Sequence, residues 1–115
     1  MVVEDEWLIR ELIVDVLTDA GFETIEAATA DSAALLLDIK PLRLIVTDIN
    51  LGGNLDGIAL AKIARDRTPD IPVLFVSGRP NKLDEARVLG HPVAFLPKPF
   101  RLDQLVANVQ QLVDA

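Results

Sequence analysis

The 115-residue chain has no cysteine, a single histidine and no apolar run approaching the ~20 residues that a membrane-spanning helix needs. Each absence removes a class of function. Without thiols there is neither a disulfide framework nor a thiolate metal site. That composition fits a reducing compartment, and the expected location is the cytoplasm. The one histidine, His91 in "GHPV", reads as a loop residue and excludes a constellation of several histidines. Cations are also scarce: 11 Lys and Arg face 18 Asp and Glu, for a formal net charge of −7. Direct nucleic-acid binding relies on basic side chains to neutralise phosphates, so it is not expected. A protein partner or a metal cation suits this charge better. The N-terminal residues do not form a basic region followed by an apolar stretch and a cleavage site, and no membrane partner is expected.

Apolar material, by contrast, is ample. Half the residues are hydrophobic and 25% are charged, which suits one folded domain over residues 1–115 and leaves too little length for two. Short β-type runs alternate with helical patterns, the signature of a parallel sheet covered by helices on both faces. Met1-Val2-Val3 reads as the first strand. Leu8, Ile9, Leu12, Ile13, Val16 and Leu17 then recur at helical spacing as one apolar stripe, which Gly21 terminates. Residues 23–27 fit a second strand, and Thr29 is placed to cap a helix carrying Ala34, Leu35, Leu36 and Ile39 that Pro41 ends. Leu44-Ile45-Val46 is continuously apolar, as in a central strand buried on both faces, and Asp48 falls at its end. The loop "NLGGNLDG" leads into a helix from Gly57 to Arg67. A fourth strand, "VLFVS", follows Pro72, and "RPNKLDEARVLG" holds a loop and a short helix. A fifth strand, "VAFLPK", precedes a last helix from near Arg101 with Leu102, Leu105, Val106, Val109, Leu112 and Val113 on one side.

The polar residues that interrupt this pattern carry the functional information. Glu4 and Asp5 follow the first strand, Asp48 ends the third, Ser77 the fourth and Lys98 the fifth. Open parallel α/β sheets bind ligands outside the carboxyl ends of their strands, so four strand ends bring three carboxylates, a hydroxyl and an ammonium to one edge. Taken singly, each is an ordinary cap, turn or loop residue; unrelated caps have no reason to occupy all four ends. Crowded carboxylates repel and need positive charge. Lys98 supplies one unit, and a hard divalent cation such as Mg2+, which takes carboxylate, water and phosphate oxygens, would supply two more. Asp5 and Asp48 are placed as direct ligands, Glu4 as one acting through water, with a loop carbonyl after Asp48 completing the set. A carboxylate can also act as a nucleophile and form an acyl phosphate. The equatorial oxygens of the transferred group would then be shared among the metal, Lys98 and Ser77.

At these residues the sequence resembles the receiver domains of two-component response regulators, along essentially the whole chain. "VVEDE" is similar to the family's acidic pair, "VTDINL" to its phosphoacceptor segment, "LDG" to its loop before helix three, "VSG" to its Thr/Ser-small motif and "LPKPF" to its lysine motif. The resemblance implies a doubly wound five-stranded parallel sheet of order 2-1-3-4-5 with helices on both faces, a flavodoxin-like fold. It implies Asp48 as the phosphorylation site, with Lys98 and Ser77 serving the phosphoryl group. The implied Mg2+ ligands are Asp5, Asp48 and the main-chain carbonyl of Asn50, with Glu4 bound through water. It further implies a switch formed by Ser77 and Phe95, a cis Lys98–Pro99 bond, and Asn50 and Arg79 at two variable positions that tune dephosphorylation. The implied phosphoryl source is a histidine kinase or a histidine phosphotransfer protein, since the lone His91 makes this chain a poor donor itself. On that basis the chain is a signalling switch that catalyses only its own phosphorylation and dephosphorylation. Two departures stand out: "LGGNLDG" replaces the usual Met-Pro step and is one residue longer, and the stretch between Ser77 and Lys98 is compressed.

Two other classes compete. A receiver-like protein-interaction module that works without phosphorylation would ordinarily have lost part of the acidic set or the lysine, and both are intact here. A flavin protein or a phosphatase on a similar fold fits poorly. Flavin phosphate needs Ser, Thr and Gly donors where Glu4-Asp5-Glu6 stands, and an aspartyl phosphatase needs a second aspartate close to Asp48, which Ile49-Asn50 does not provide.

Overall fold

The computed structural model describes residues 1–78 and 82–114. Strands and helices alternate: β1 (Val2–Val3), α1 (Trp7–Asp19), β2 (Glu26–Ala27), α2 (Ala30–Leu36), β3 (Ile45–Asp48), α3 (Gly57–Arg67), β4 (Val73–Ser77), α4 (Leu83–Arg87), β5 (Val93–Pro97) and α5 (Leu102–Asp114). The five strands pair in parallel in the order β2-β1-β3-β4-β5, the order implied above.

The uninterrupted apolar strands are explained by the pleat, which sends successive side chains to opposite faces. Val46, Leu74 and Val76 pack with Ile13, Leu17, Leu105 and Val109 of α1 and α5. Their neighbours Ile45, Val73 and Phe75 face the other way, into clusters that include Ala33 of α2, Leu60 and Ala61 of α3 and Ala86 of α4. Both faces of the sheet are therefore covered, and the strands need no polar side.

Several boundaries differ from the sequence expectation. β2 covers only Glu26–Ala27 rather than 23–27, because its ladder partner β1 is itself two residues long. α2 ends at Leu36, ahead of Pro41, and two of its expected apolar contacts, Leu35 and Ile39, point to solvent at 82% and 64% exposure. The α1 stripe divides as well: Ile13 and Leu17 are buried, whereas Leu8 and Leu12 are exposed. Helix caps behave as their residue types suggest. The Thr29 hydroxyl accepts from the Ser32 N–H at 3.0 Å, and the Asp56 carboxylate accepts from the Ala59 N–H at 2.8 Å to start α3.

Two tethers were not expected from the sequence. Arg65 of α3 is half-buried and donates to four main-chain carbonyls: Ile71 at 2.8 Å, Leu89 at 3.3 Å, Gly90 at 3.1 Å and Pro92 at 2.8 Å. It gathers the segments that enter β4 and β5. Asp31 of α2 accepts from the Leu55 N–H at 3.1 Å and from Asn54 Nδ2 at 3.4 Å, which anchors the long loop after β3. Gly53 turns within that loop at φ +102°, a conformation that side-chain-bearing residues rarely adopt.

Candidate functional site

The site is assembled at the carboxyl edge of the sheet by strand register. Val3 pairs with Thr47, so the next residues along, Glu4 and Asp48, lie side by side. Asp48 is level with Val76 and Ser77 with Pro97, which brings Ser77 and Lys98 to the same edge. Lys98 Nζ donates to Glu4 Oε1 at 2.6 Å and to Asp48 Oδ2 at 2.8 Å. The second oxygen of Asp48 accepts from the Asn50 N–H at 3.0 Å. Asn50 Nδ2 in turn donates to Ser77 Oγ at 3.3 Å, and the Lys98 N–H donates to the Ser77 carbonyl at 2.9 Å. Glu4, Asp48 and Ser77 are buried while Asp5 is exposed, so the acidic cluster opens outward through Asp5.

Electrostatics follow from this burial. Glu4 is only 2% exposed, and desolvation pushes its pKa above the usual carboxylate value, although Lys98 and the Glu6 N–H oppose the shift. Burial by itself would lower the pKa of Lys98. Its hydrogen bonds to Asp48 and Glu4 outweigh that and hold it above the ordinary value, so Lys98 stays charged.

Oxygens of Glu4, Asp5 and Asp48 lie within 4.8 Å of one another, a hard, all-oxygen donor set of the kind Mg2+ takes. Asp48 also opens onto a cleft of about 530 Å³ lined by Asp5, Glu6, Asn50, Asp56, Lys82 and Lys98 among others. A second, mostly apolar cavity of about 340 Å³ lies behind Ser77, between Phe75, Leu83 and Phe95. Phe95 is half-buried, stacked on Phe75 with ring centroids 5.7 Å apart, and the Arg87 guanidinium carbon stands 5.8 Å from its ring centre. The Lys98–Pro99 bond is cis, as is His91–Pro92. Glu4, Asp5, Asp48, Asn50, Ser77 and Lys98 are thus brought together as the sequence suggested, with Phe95 beside them. Arg79 lies outside the described residues.

One participant escaped the sequence. Lys82 Nζ pairs with Asp56 Oδ2 at 3.0 Å, joining the loop before α3 to the start of α4 across the cleft. The only sequence signal was Asp56 itself, a capping residue ahead of Gly57. Removing that cap gives a direct test: Asp56→Ala is expected to cost ~1 kcal/mol at neutral pH, the usual worth of an N-cap. Burial alone would raise the Asp56 pKa, but the Ala59 N–H and Lys82 outweigh it and hold it below its ordinary value of 3.8. Its stabilising effect is therefore complete above pH 3.8 and lost as pH falls through the lower folded value. Urea melts of wild type and variant should converge in that acidic range.

No helix among the described residues is long and apolar enough to cross a membrane. Residues 1–110 match the family model of the response regulator receiver domain. The chain is 32% identical to the nitrogen assimilation regulatory protein NtrX of Azorhizobium caulinodans over 116 residues, covering 99% of this chain and 26% of that protein. It spans about a quarter of the curated relatives it matches. The receiver domain of NtrX from Brucella abortus superposes with a TM-score of 0.89 at 36% identity, covering 99% of this chain and 97% of that one. A response regulator receiver protein from Sinorhizobium medicae gives 0.90 at 30% identity, with 99% and 92% covered. The solved structures share the fold, and the family model and the relatives give the assignment: the chain belongs to the response regulator receiver domains of two-component signal transduction.

Proposed function

We propose that Asp48 accepts a phosphoryl group from the phosphohistidine of a histidine kinase or a histidine phosphotransfer protein, in a Mg2+-dependent step that sets the conformation of the Ser77 and Phe95 face. The observation that carries this is the state of the Asp48 carboxylate. One oxygen is held by Lys98 and the other by the Asn50 N–H, and the group faces an open cleft beside two further carboxylates.

Asp5, Asp48 and the carbonyl of Asn50 would hold the metal, with Glu4 acting through water. Bound there, Mg2+ would neutralise oxygens of the transferred group. The chain's own residues do the positioning. Asn50 and Lys98 fix the carboxylate so that an oxygen can attack phosphorus in line with the leaving nitrogen. Lys98 then remains as a cation beside the new acyl phosphate. Ser77, now held by Asn50 at 3.3 Å, would exchange that contact for a phosphoryl oxygen, and Phe95 would follow into the apolar cavity behind it.

Intact mass after incubation with acetyl phosphate tests the chemistry. Wild type should gain one phosphoryl group only when magnesium is present, and Asp48→Asn should gain none. A folded, magnesium-binding protein that shows no adduct at short trapping times would favour the phosphorylation-independent interaction module. Trp7, two residues past Asp5 and 64% exposed, should report metal binding by a change in fluorescence.

A further inference from the structure

We infer that Lys82 is a second phosphoryl-contacting residue, stored on Asp56 until the acceptor cleft receives an anionic donor. The inference rests on the assignment of Asp48 as acceptor and extends it.

Lys98 is already engaged. It bridges Glu4 and Asp48, and its side chain is only 18% exposed. Among the described residues, Lys82 is the other cation lining the cleft, beside Asp5, Glu6, Asp48 and Asp56. An incoming phosphoryl dianion meets four carboxylates there, one negative charge more than Lys98 and a bound Mg2+ would offset, so a further cation would favour its entry. The Lys82 side chain is 35% exposed and that of Asp56 26%. A pair this open to solvent is weak, whereas a phosphoryl oxygen offers a stronger charge-assisted partner.

Asp56 is suited to storing the ammonium. Its Oδ1 accepts from the Ala59 N–H at 2.8 Å and its Oδ2 accepts from Lys82. The cap holds the carboxylate whether or not Lys82 is bound, so Lys82 can leave without undoing α3. In the step it serves, an Asp48 oxygen forms a bond to phosphorus as the anhydride P–O bond of acetyl phosphate breaks. Acetate leaves with the electron pair and no proton is required. Lys82 enters as a donor to the transferred group and is not consumed.

The test measures kcat/KM for acetyl phosphate with magnesium, by intact mass, in wild type, Lys82→Gln, Lys82→Arg, Asp56→Asn and the Lys82→Gln/Asp56→Asn double variant. Asparagine preserves the cap while removing the charge. Lys82→Gln should lower kcat/KM about tenfold, the scale of one charge-assisted hydrogen bond. The loss should persist at high ionic strength, where long-range steering is screened. Lys82→Arg should retain most of the rate. A role confined to holding Asp56 predicts that Lys82→Gln has no effect in the Asp56→Asn background; direct contact predicts the same loss there as in wild type. Affinity for beryllofluoride with magnesium, measured by calorimetry, should fall in parallel. Wild-type rates in Lys82→Gln, or a loss that vanishes with Asp56→Asn, would overturn the role of Lys82 and leave Asp48 intact as acceptor. No adduct on wild type would overturn both.

Discussion

Lys98→Met should destabilise the fold by about 3–5 kcal/mol at neutral pH, the cost of removing one partner from a buried ion pair. Glu4 is 2% exposed and Asp48 9%, and both would be left facing one another with no cation between them. A domain of this size has only ~5–15 kcal/mol of stability in total, so a shift of this scale is easily read from urea unfolding midpoints at constant slope. Two additions identify the cause. Glu4→Gln in the Lys98→Met chain should recover part of the loss, because the amide carries no charge. Magnesium should stabilise the Lys98→Met chain more than wild type, because it supplies the missing positive charge to the same carboxylates. If the midpoint is unchanged by Lys98→Met, the ion pair contributes nothing to the fold and the electrostatic account of the site fails.

Gly57→Ala should cost ~3 kcal/mol, at the upper end of the usual range for overpacking a filled interior. A Cβ at this position would stand 2.0 Å from the Asp48 carbonyl oxygen and 3.0 Å from Thr47 Oγ1. The oxygen belongs to backbone and cannot rotate aside, and the Thr47 hydroxyl donates to it at 2.9 Å. The Gly57 N–H also donates to the Ile49 carbonyl at 2.9 Å, which ties α3 to the strand end. Relief therefore requires α3 or the end of β3 to move. Because Asp48 is that strand end, the variant should lose phosphoryl uptake even at temperatures where it remains folded. Wild-type stability and labelling rate in Gly57→Ala would show that the helix can shift freely, and that Asp48 is not positioned by this contact.

The sheet was readable because strands apolar on both faces alternate with amphipathic helical patterns, which together suit a parallel sheet covered on both sides. Ile45 and Val46 were legible for that reason, although they serve opposite cores. The site was readable because its residues interrupt that pattern at strand ends. Register alone then places Glu4, Asp48, Ser77 and Lys98 at one edge. What was not readable depends on contacts distant in sequence. Nothing near Arg65 announces that its guanidinium will find carbonyls from residues 71 to 92. Lys82 carries no local mark of its pairing with Asp56, 26 residues earlier. Leu35 and Ile39 misled in the other direction: α2 turns its small residues Ala30 and Ala33 to the sheet and ends at Leu36, which leaves Leu35 on its outer face and Ile39 beyond it, both in solvent.

The Arg65 tether also bears on how a signal could leave the site. It grips the chain just before β4 and around the entry to β5, at the amino ends of both strands. Ser77 and Lys98 lie at the opposite ends, with Phe95 at the middle of β5. Strands clamped at one end behave as a cantilever, in which deflection grows with distance from the support. On the proposed reading, a shift of Ser77 and Phe95 would pivot on this fixed base, growing toward the carboxyl ends of β4 and β5.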